Sequence, residues 1–268
     1  MNLKLISRTK KEEIDHYYEI IRVLVYKNLK VRYRGSILGA YWSLLNPLTM
    51  TGVYTAIFGA VFAEYYNNST LDYVLAAFTG LIIINFFSAS TSQALTSVVS
   101  NGAILNKIKL PVSAFPLSAI VANTFQLLLG AIPLLSVITL IKTKSLSNLL
   151  LLSIPLISLF FVCLGIGFFV SALYVFFRDL PYFYELITFI VLLSSPVFYP
   201  AAIVPAAIKP ALSVNPLSLI IENIRTIVLS TSEPSIVLLA KSLLGGLMIT
   251  ALGYICFQYW KSQFMDLL

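Results

Sequence analysis

From Ile37 onward the chain alternates long apolar runs with short polar interruptions, and the runs lie near 37–62, 72–99, 112–141, 148–176, 182–199 and 235–259. A membrane crossing needs roughly 20 predominantly apolar residues, so the pattern predicts an all-α integral membrane protein with six transmembrane helices. Ahead of them, Ile14, Tyr17, Tyr18, Ile21, Leu24 and Val25 recur at three- and four-residue spacing between Glu12 and Leu29, with Glu13, Asp15 and Glu19 on the other side. That spacing predicts an amphipathic helix lying along the membrane interface. Residues 1–36 are therefore a cytoplasmic interfacial segment, and 37–268 a transmembrane domain. The stretch 200–231 is apolar enough for another crossing, but Pro200, Pro205, Pro210 and Pro216 divide it, and Glu222 and Arg225 interrupt what remains. Proline removes a backbone donor and breaks a helix. The expectation is two short re-entrant helices between spans five and six that dip into the outer leaflet and return, with Glu222 and Arg225 pairing across one turn.

Charge fixes the orientation. Lys27, Lys30, Arg32 and Arg34 stand directly before ILGAYWSLLNP, where Tyr41 and Trp42 suit the interfacial zone. Cations next to a span stay with the cytoplasm and anionic head groups, which puts the N-terminus inside. Six crossings return the C-terminus inside, and 13 of the 18 Lys and Arg then fall on the inner side. Nine of the 18 lie before residue 35, so the net charge of +7 belongs to a membrane surface and not to nucleic acid. With 59% hydrophobic and 11% charged residues, the chain holds no soluble domain able to hydrolyse ATP. Its first 20 residues are too charged for a signal peptide. Cys163 and Cys256 are isolated in apolar sequence and read as packing residues.

Catalytic chemistry is absent from the sequence. His16 stands alone on the amphipathic helix, no phosphate loop or HExxH occurs, and no metal ligand set is present. Polar residues within the spans are few. Asn85, Ser88, Ser92 and Thr96 share about an 80° arc of the second span at 100° per residue, which fits either helix packing or a polar path. Gly35 and Gly39 form a GxxxG, and these two, with Gly165 and Gly167, suit close helix contact. Between the second and third spans, Ser100–Pro111 reads as a short helix carrying Ile104, Leu105 and Ile108 on one side and Lys107 and Lys109 near its end. Arg178 and Asp179 cap a turn before Pro181, which can start the next helix. Tyr65, Tyr66, Tyr73, Tyr259 and Trp260 suit interfacial anchors. Tyr182, Tyr184, Phe198 and Tyr199 fit either anchors or a wall on which sugar rings stack.

The ordered set RYRGSILGAYWSLLNPL (32–48), NGAILNKIKLP (101–111), FRDLP (177–181), SPVFYP (195–200) and NPLSLIIENIR (215–225) resembles the ABC-2 type permeases, in particular the branch that exports polysaccharides and polyol phosphates such as O-antigen and teichoic acid. The resemblance covers nearly the whole chain. It implies a non-enzymatic half-transporter of the plasma (inner) membrane, two copies forming a channel and pairing with two separate ABC ATPase subunits that bind ATP and Mg. It implies a substrate built as a glycan on undecaprenyl diphosphate or a similar carrier, with Arg32 and Arg34 contacting the diphosphate. Tyr41, Trp42, Asn85, Ser88, Tyr184, Phe198 and Tyr199 would line the channel. Asn101, Leu105, Lys107 and Ile108 would form the coupling helix that meets the ATPase. Pro200, Pro205, Pro216, Glu222 and Arg225 would belong to the outer gate. An exporter of a small hydrophobic compound and a non-transporting membrane scaffold are the alternatives.

Overall fold

The computed structural model describes residues 10–108, 110–207, 209–230 and 234–267, and every regular element among them is helical. Residues 1–9 and Lys109, which carry part of the charge count and of the coupling segment, lie outside the described residues.

Helix α1 (Lys10–Arg32) has Glu12 and Glu13 in its first turn and Lys30 and Arg32 in its last, the arrangement that complements a helix dipole. It packs along α5 through Tyr17, Ile20, Ile21 and Leu24, while Ile14 and Tyr18 are exposed, so the apolar face is narrower than the sequence pattern suggested. The chain then turns through Gly35 and Gly39, whose φ values of +78° and +48° are left-handed. These glycines are needed for the turn, and the helix–helix contact expected of their spacing does not form. Helix α2 (Trp42–Phe62) consequently starts five residues later than the apolar run does.

Helix α3 (Thr70–Ser97) is the axis of the bundle. In its most apolar window 72% is buried, against 17–39% in the other long helices, because α2, α5, α7, α8 and α10 all pack on it. After α3 come the short α4 (Gly102–Leu105), α5 (Ala114–Thr143), α6 (Leu146–Leu151) and α7 (Ser153–Phe176). Helix α8 (Leu180–Ser194) starts with Pro181 in its first turn, as expected, and ends where Ser195, at φ −90° and ψ 140°, is held extended by the following proline. The segment 195–200 is not helical, so the fifth apolar run is a 15-residue helix plus an extended stretch and not one continuous helix.

Helices α9 (Lys209–Val214) and α10 (Pro216–Leu229) occupy the proline-rich region, with the Asn215 side chain capping α10 at the Leu217 amide. Ile220, Ile221, Ile224 and Ile227 are fully buried against α3, α5 and α7, so α10 belongs to the core. Helix α11 (Ile236–Trp260) lies against α7 backbone to backbone. A Cβ on Gly253 would collide with the Gly165 carbonyl, and one on Gly165 with the Ile249 carbonyl. Ser158 Oγ to the Ser242 carbonyl and Thr250 Oγ1 to the Phe161 carbonyl, both 2.6 Å, use that proximity. Close helix contact is thus the role of Gly165, as the sequence suggested. The chain closes with α12 (Phe264–Leu267), where Phe264 is buried with Phe257 and Phe115.

Among the described residues, five helical stretches, Trp42–Tyr65, Thr70–Ser97, Ala114–Thr143, Leu146–Phe176 and Ile236–Gln263, are long and apolar enough to cross a membrane.

Candidate functional site

Four elements meet around a cavity of about 460 Å³ near the C-terminal end of α1. The last turn of α1 and the residue after it supply Arg32 and Tyr33, α2 supplies Trp42 and Asn46, α3 supplies Asn85 and Ser88, and α5 supplies Asn123 and Gln126. Pro47 lies inside α2 and lines the same space. Among the described residues Arg32 is the one charged residue on this wall, and its guanidinium donates to Asn123 Oδ1 at 2.6 Å. Asn123 in turn donates from Nδ2 to Gln93 Oε1 at 2.7 Å and to the Ala119 carbonyl at 2.9 Å. The arginine is thereby fixed by a neutral amide, which spends one of its five N–H donors and leaves its charge uncompensated.

Three further lining residues carry buried polar atoms without a partner among the described residues: Tyr33 Oη, Asn85 Nδ2 and Gln126 Oε1. Burial raises the Tyr33 phenol above its ordinary pKa, partly offset by the neighbouring Arg32 charge, so it stays a neutral donor. Buried polar groups are normally satisfied, so donors and an acceptor left open around one cation describe a wall suited to a hydrated, anionic or hydroxyl-rich ligand.

Of the residues singled out from the sequence, Arg32, Trp42, Asn85 and Ser88 come together here, while Arg34 and Tyr41 are exposed and do not line the cavity. Asn46, Asn123 and Gln126 were missed. The signal was legible, since Asn123 and Gln126 are polar residues three apart in an apolar helix, the same criterion that drew attention to Asn85.

Of the aromatic set, Tyr182 is 77% exposed on α8, and the other three are enclosed to different degrees. Tyr184 is 4% exposed and packs with Leu95 and Val170 inside the bundle. Phe198 is 9% exposed and stacks on Tyr54, ring centroids 3.4 Å apart, while the Tyr73 hydroxyl donates to the Phe198 carbonyl at 3.1 Å. Tyr73 is therefore an interior tether and not an interfacial anchor. Tyr199 is half-buried with its hydroxyl on the Leu193 carbonyl.

In the segment between α3 and α5, Leu105 is 3% exposed and sits in the core cluster with Leu24, Val98 and Phe264. It anchors the segment, and the outward residues are Ile104, Lys107 and Ile108. Asn101 accepts from Lys27 Nζ at 2.7 Å and donates to the Ser97 carbonyl. In the turn between α7 and α8, Arg178 donates to the Leu267 carbonyl at 2.8 Å and Asp179 is exposed. At the opposite end of the bundle, Pro200 is buried, Pro205 and Glu222 are exposed and Pro216 opens α10. The Arg225 guanidinium turns inward, to the Ala76 and Val197 carbonyls, in place of the pairing expected with Glu222.

Comparison with known proteins gives concordant results. The family model described as "ABC-2 type transporter" matches residues 19–229. The chain is 29% identical over the full length of both sequences to a Klebsiella pneumoniae protein named "O-antigen export system permease protein RfbA". A protein of that name from Myxococcus xanthus is 28% identical, over 86% of this chain and 89% of its own length. The family match runs from α1 through α10 and so takes in every element that builds the cavity: this multi-pass membrane chain belongs to the ABC-2 type transporter family.

Proposed function

We propose that this chain is the transmembrane permease subunit of an ATP-driven ABC exporter that moves a lipid-linked, O-antigen-like polysaccharide from the cytoplasm across the plasma membrane. The observation that carries the reading is the end-to-end correspondence, 100% of both chains, with a protein named as an O-antigen export permease. The Arg32 cavity supports it, because a guanidinium with free donors binds phosphate oxygens, and open amide and hydroxyl groups suit sugars.

Two copies act together, each with a separate ATPase subunit that binds ATP and Mg. Supporting the dimer, α8 carries an exposed apolar stripe of Tyr182, Leu186, Phe189, Ile190 and Leu193 on the face away from α3. Both termini are cytoplasmic and α1 lies along the inner interface. Helix α8 with its extended continuation is the fifth crossing: 15 residues rise about 22 Å, short of a ~30 Å hydrocarbon core, and the 195–200 segment completes the distance. Helices α9 and α10 re-enter from the outer side as the gate, followed by α11 as the sixth crossing. ATP binding moves the segment from Asn101 to Ile108, and Leu105 transmits the motion to the packed ends of α1, α5 and α11.

In a strain lacking the gene, surface glycan is lost and lipid-linked glycan accumulates inside the cell. Unchanged glycan in both places would overturn the polymer reading in favour of export of a small hydrophobic compound.

A further inference from the structure

Beyond the Arg32 cavity, α5, α6 and α7 enclose a groove of about 410 Å³ whose floor is Phe86 of α3. Its origin lies in the sequence. Pro133 stands ten residues before the end of α5 and Pro155 nine residues after the start of α6, so two prolines interrupt the backbone ladders at matching depth. There α6 ends at Leu151 and α7 begins at Ser153. Small residues complete the opening, since Ser136 and Ser153 line it from opposite walls. Towards the Ala114 end of α5 the groove is shut, because the helices come so close that a Cβ on Gly167 would stand 2.8 Å from Ile120 and 2.9 Å from Ala94. At the other end α6 closes it, tied down by Asn148 Nδ2 on the Ile227 carbonyl at 3.3 Å.

The walls suit an apolar ligand. Among the described residues the lining consists of nine apolar side chains and three hydroxyls, and two of those hydroxyls, on Thr124 and Ser153, donate to the Ile120 and Leu150 carbonyls. Leu128 and Ile157, 48% and 47% exposed, form opposite rims, so the mouth opens to the outside of the bundle, which for these membrane-crossing helices is hydrocarbon. The volume lies within the range of ligand pockets, about 300–1,000 Å³. From Thr124 to Ser136 the helix rises about 18 Å, and half of a ~30 Å hydrocarbon core is about 15 Å. The groove is therefore one leaflet long.

We propose that this groove is a binding site for one acyl chain of a bilayer phospholipid. Left empty, its walls forgo dispersion contacts on the open side, and a single flexible chain of leaflet length restores them. An undecaprenyl chain is far longer than the groove. A second copy of the protein is disfavoured as the occupant, because the exposed apolar stripe lies on α8, which does not line the groove. Phe86 and Leu127, both buried, line this groove and the Arg32 cavity alike, so the wall between bilayer hydrocarbon and the polar cavity is one side chain thick there. The seated chain packs against the far side of that wall.

The test uses the full chain in phosphatidylcholine nanodiscs containing a phosphatidylcholine with a photoreactive diazirine in mid-chain, and adducts formed on irradiation are mapped by peptide mass spectrometry. Adducts on 124–136 and 149–160 are expected to exceed several-fold those on the apolar outer face of α11 around Leu252 and Ile255, 62% and 63% exposed. Ser136→Phe and, from the opposite wall, Ser153→Phe place a ring in the groove and are expected to bring its adducts down to the α11 level. Val137→Phe, on the neighbouring exposed position, is expected to leave them unchanged. Melting curves identify the folded variants.

Equal adduct density on the groove and on α11 in the wild type would overturn the site, whichever variants fold. Groove adducts that persist in folded Ser136→Phe or Ser153→Phe would overturn it too. Displacement of the adducts by undecaprenyl phosphate but not by unlabelled phospholipid would give the groove to a carrier chain, and a covalent dimer formed through Ser136→Cys with a short bismaleimide would give it to a second copy; either result overturns the acyl assignment. None of these outcomes depends on the exporter reading, which the deletion strain tests separately.

Discussion

Arg225 on α10 donates from both Nε and Nη2 to the Ala76 carbonyl of α3, at 3.0 and 2.9 Å. Nη2 also reaches the Val197 carbonyl at 2.6 Å, so one side chain joins α10, α3 and the extended segment after α8. The Ala76 carbonyl belongs to the α3 ladder and Val197 sits in the proline-bounded stretch, where backbone acceptors lack regular partners. Gly80 makes room for this, since a Cβ there would stand 3.3 Å from the Arg225 nitrogen and 3.1 Å from Val197. Arg225→Lys cannot supply the fork and is expected to lower stability by about 1–3 kcal/mol, as does loss of a charged hydrogen-bonding partner in general. Thermal unfolding in detergent measures it; an unchanged midpoint would show that the fork is dispensable.

Gly253 and Gly245 sit on the same helix and make opposite predictions. Gly253 faces the Gly165 backbone directly, and nothing lies within 4 Å of a Cβ on Gly245. Gly253→Ala is expected to force α7 and α11 apart and cost about 1–3 kcal/mol. Gly245→Ala is expected to be neutral or to add up to about 1 kcal/mol through helix propensity. Parallel melting curves of the two variants check the pair.

Within the segment between α3 and α5, burial separates two roles that the sequence pattern grouped. Leu105→Asp places a charge in the core cluster and is expected to give aggregated protein on size exclusion. Ile108, 57% exposed, is expected to tolerate Asp structurally while the variant loses transport-coupled ATPase activity. A well-folded Ile108→Asp complex with normal coupling would remove this segment as the ATPase contact.

The exposed stripe on α8 predicts proximity between copies. With Cys163 and Cys256 replaced by Ala, Phe189→Cys or Ile190→Cys treated with a short bismaleimide in membranes is expected to give a covalent dimer. Val137→Cys on α5 serves as the comparison, being similarly exposed at 51%. Equal cross-linking at Val137 and Phe189, or none at either α8 position, would place the dimer contact elsewhere.

The hydrophobic run lengths determined by themselves that this is a helical membrane chain, because backbone satisfaction in lipid and the ~20-residue crossing length are local requirements. The basic junction, the proline-divided stretch before α11 and the polar arc of Asn85, Ser88, Ser92 and Thr96 were legible for the same reason. Tertiary structure decided which face of each helix points where. Gly35 and Gly39 became turn residues through their φ values, Leu105 turned inward beside Leu24, and Tyr184 and Phe198 were enclosed by packing instead of being left as a wall. Sequence spacing gives the angle between side chains on one helix but not the rotation of that helix against its neighbours. That rotation follows from the bundle as a whole, and it is what brings Lys27 and Arg32 of α1 against Asn101 and Asn123, 74 and 91 residues away.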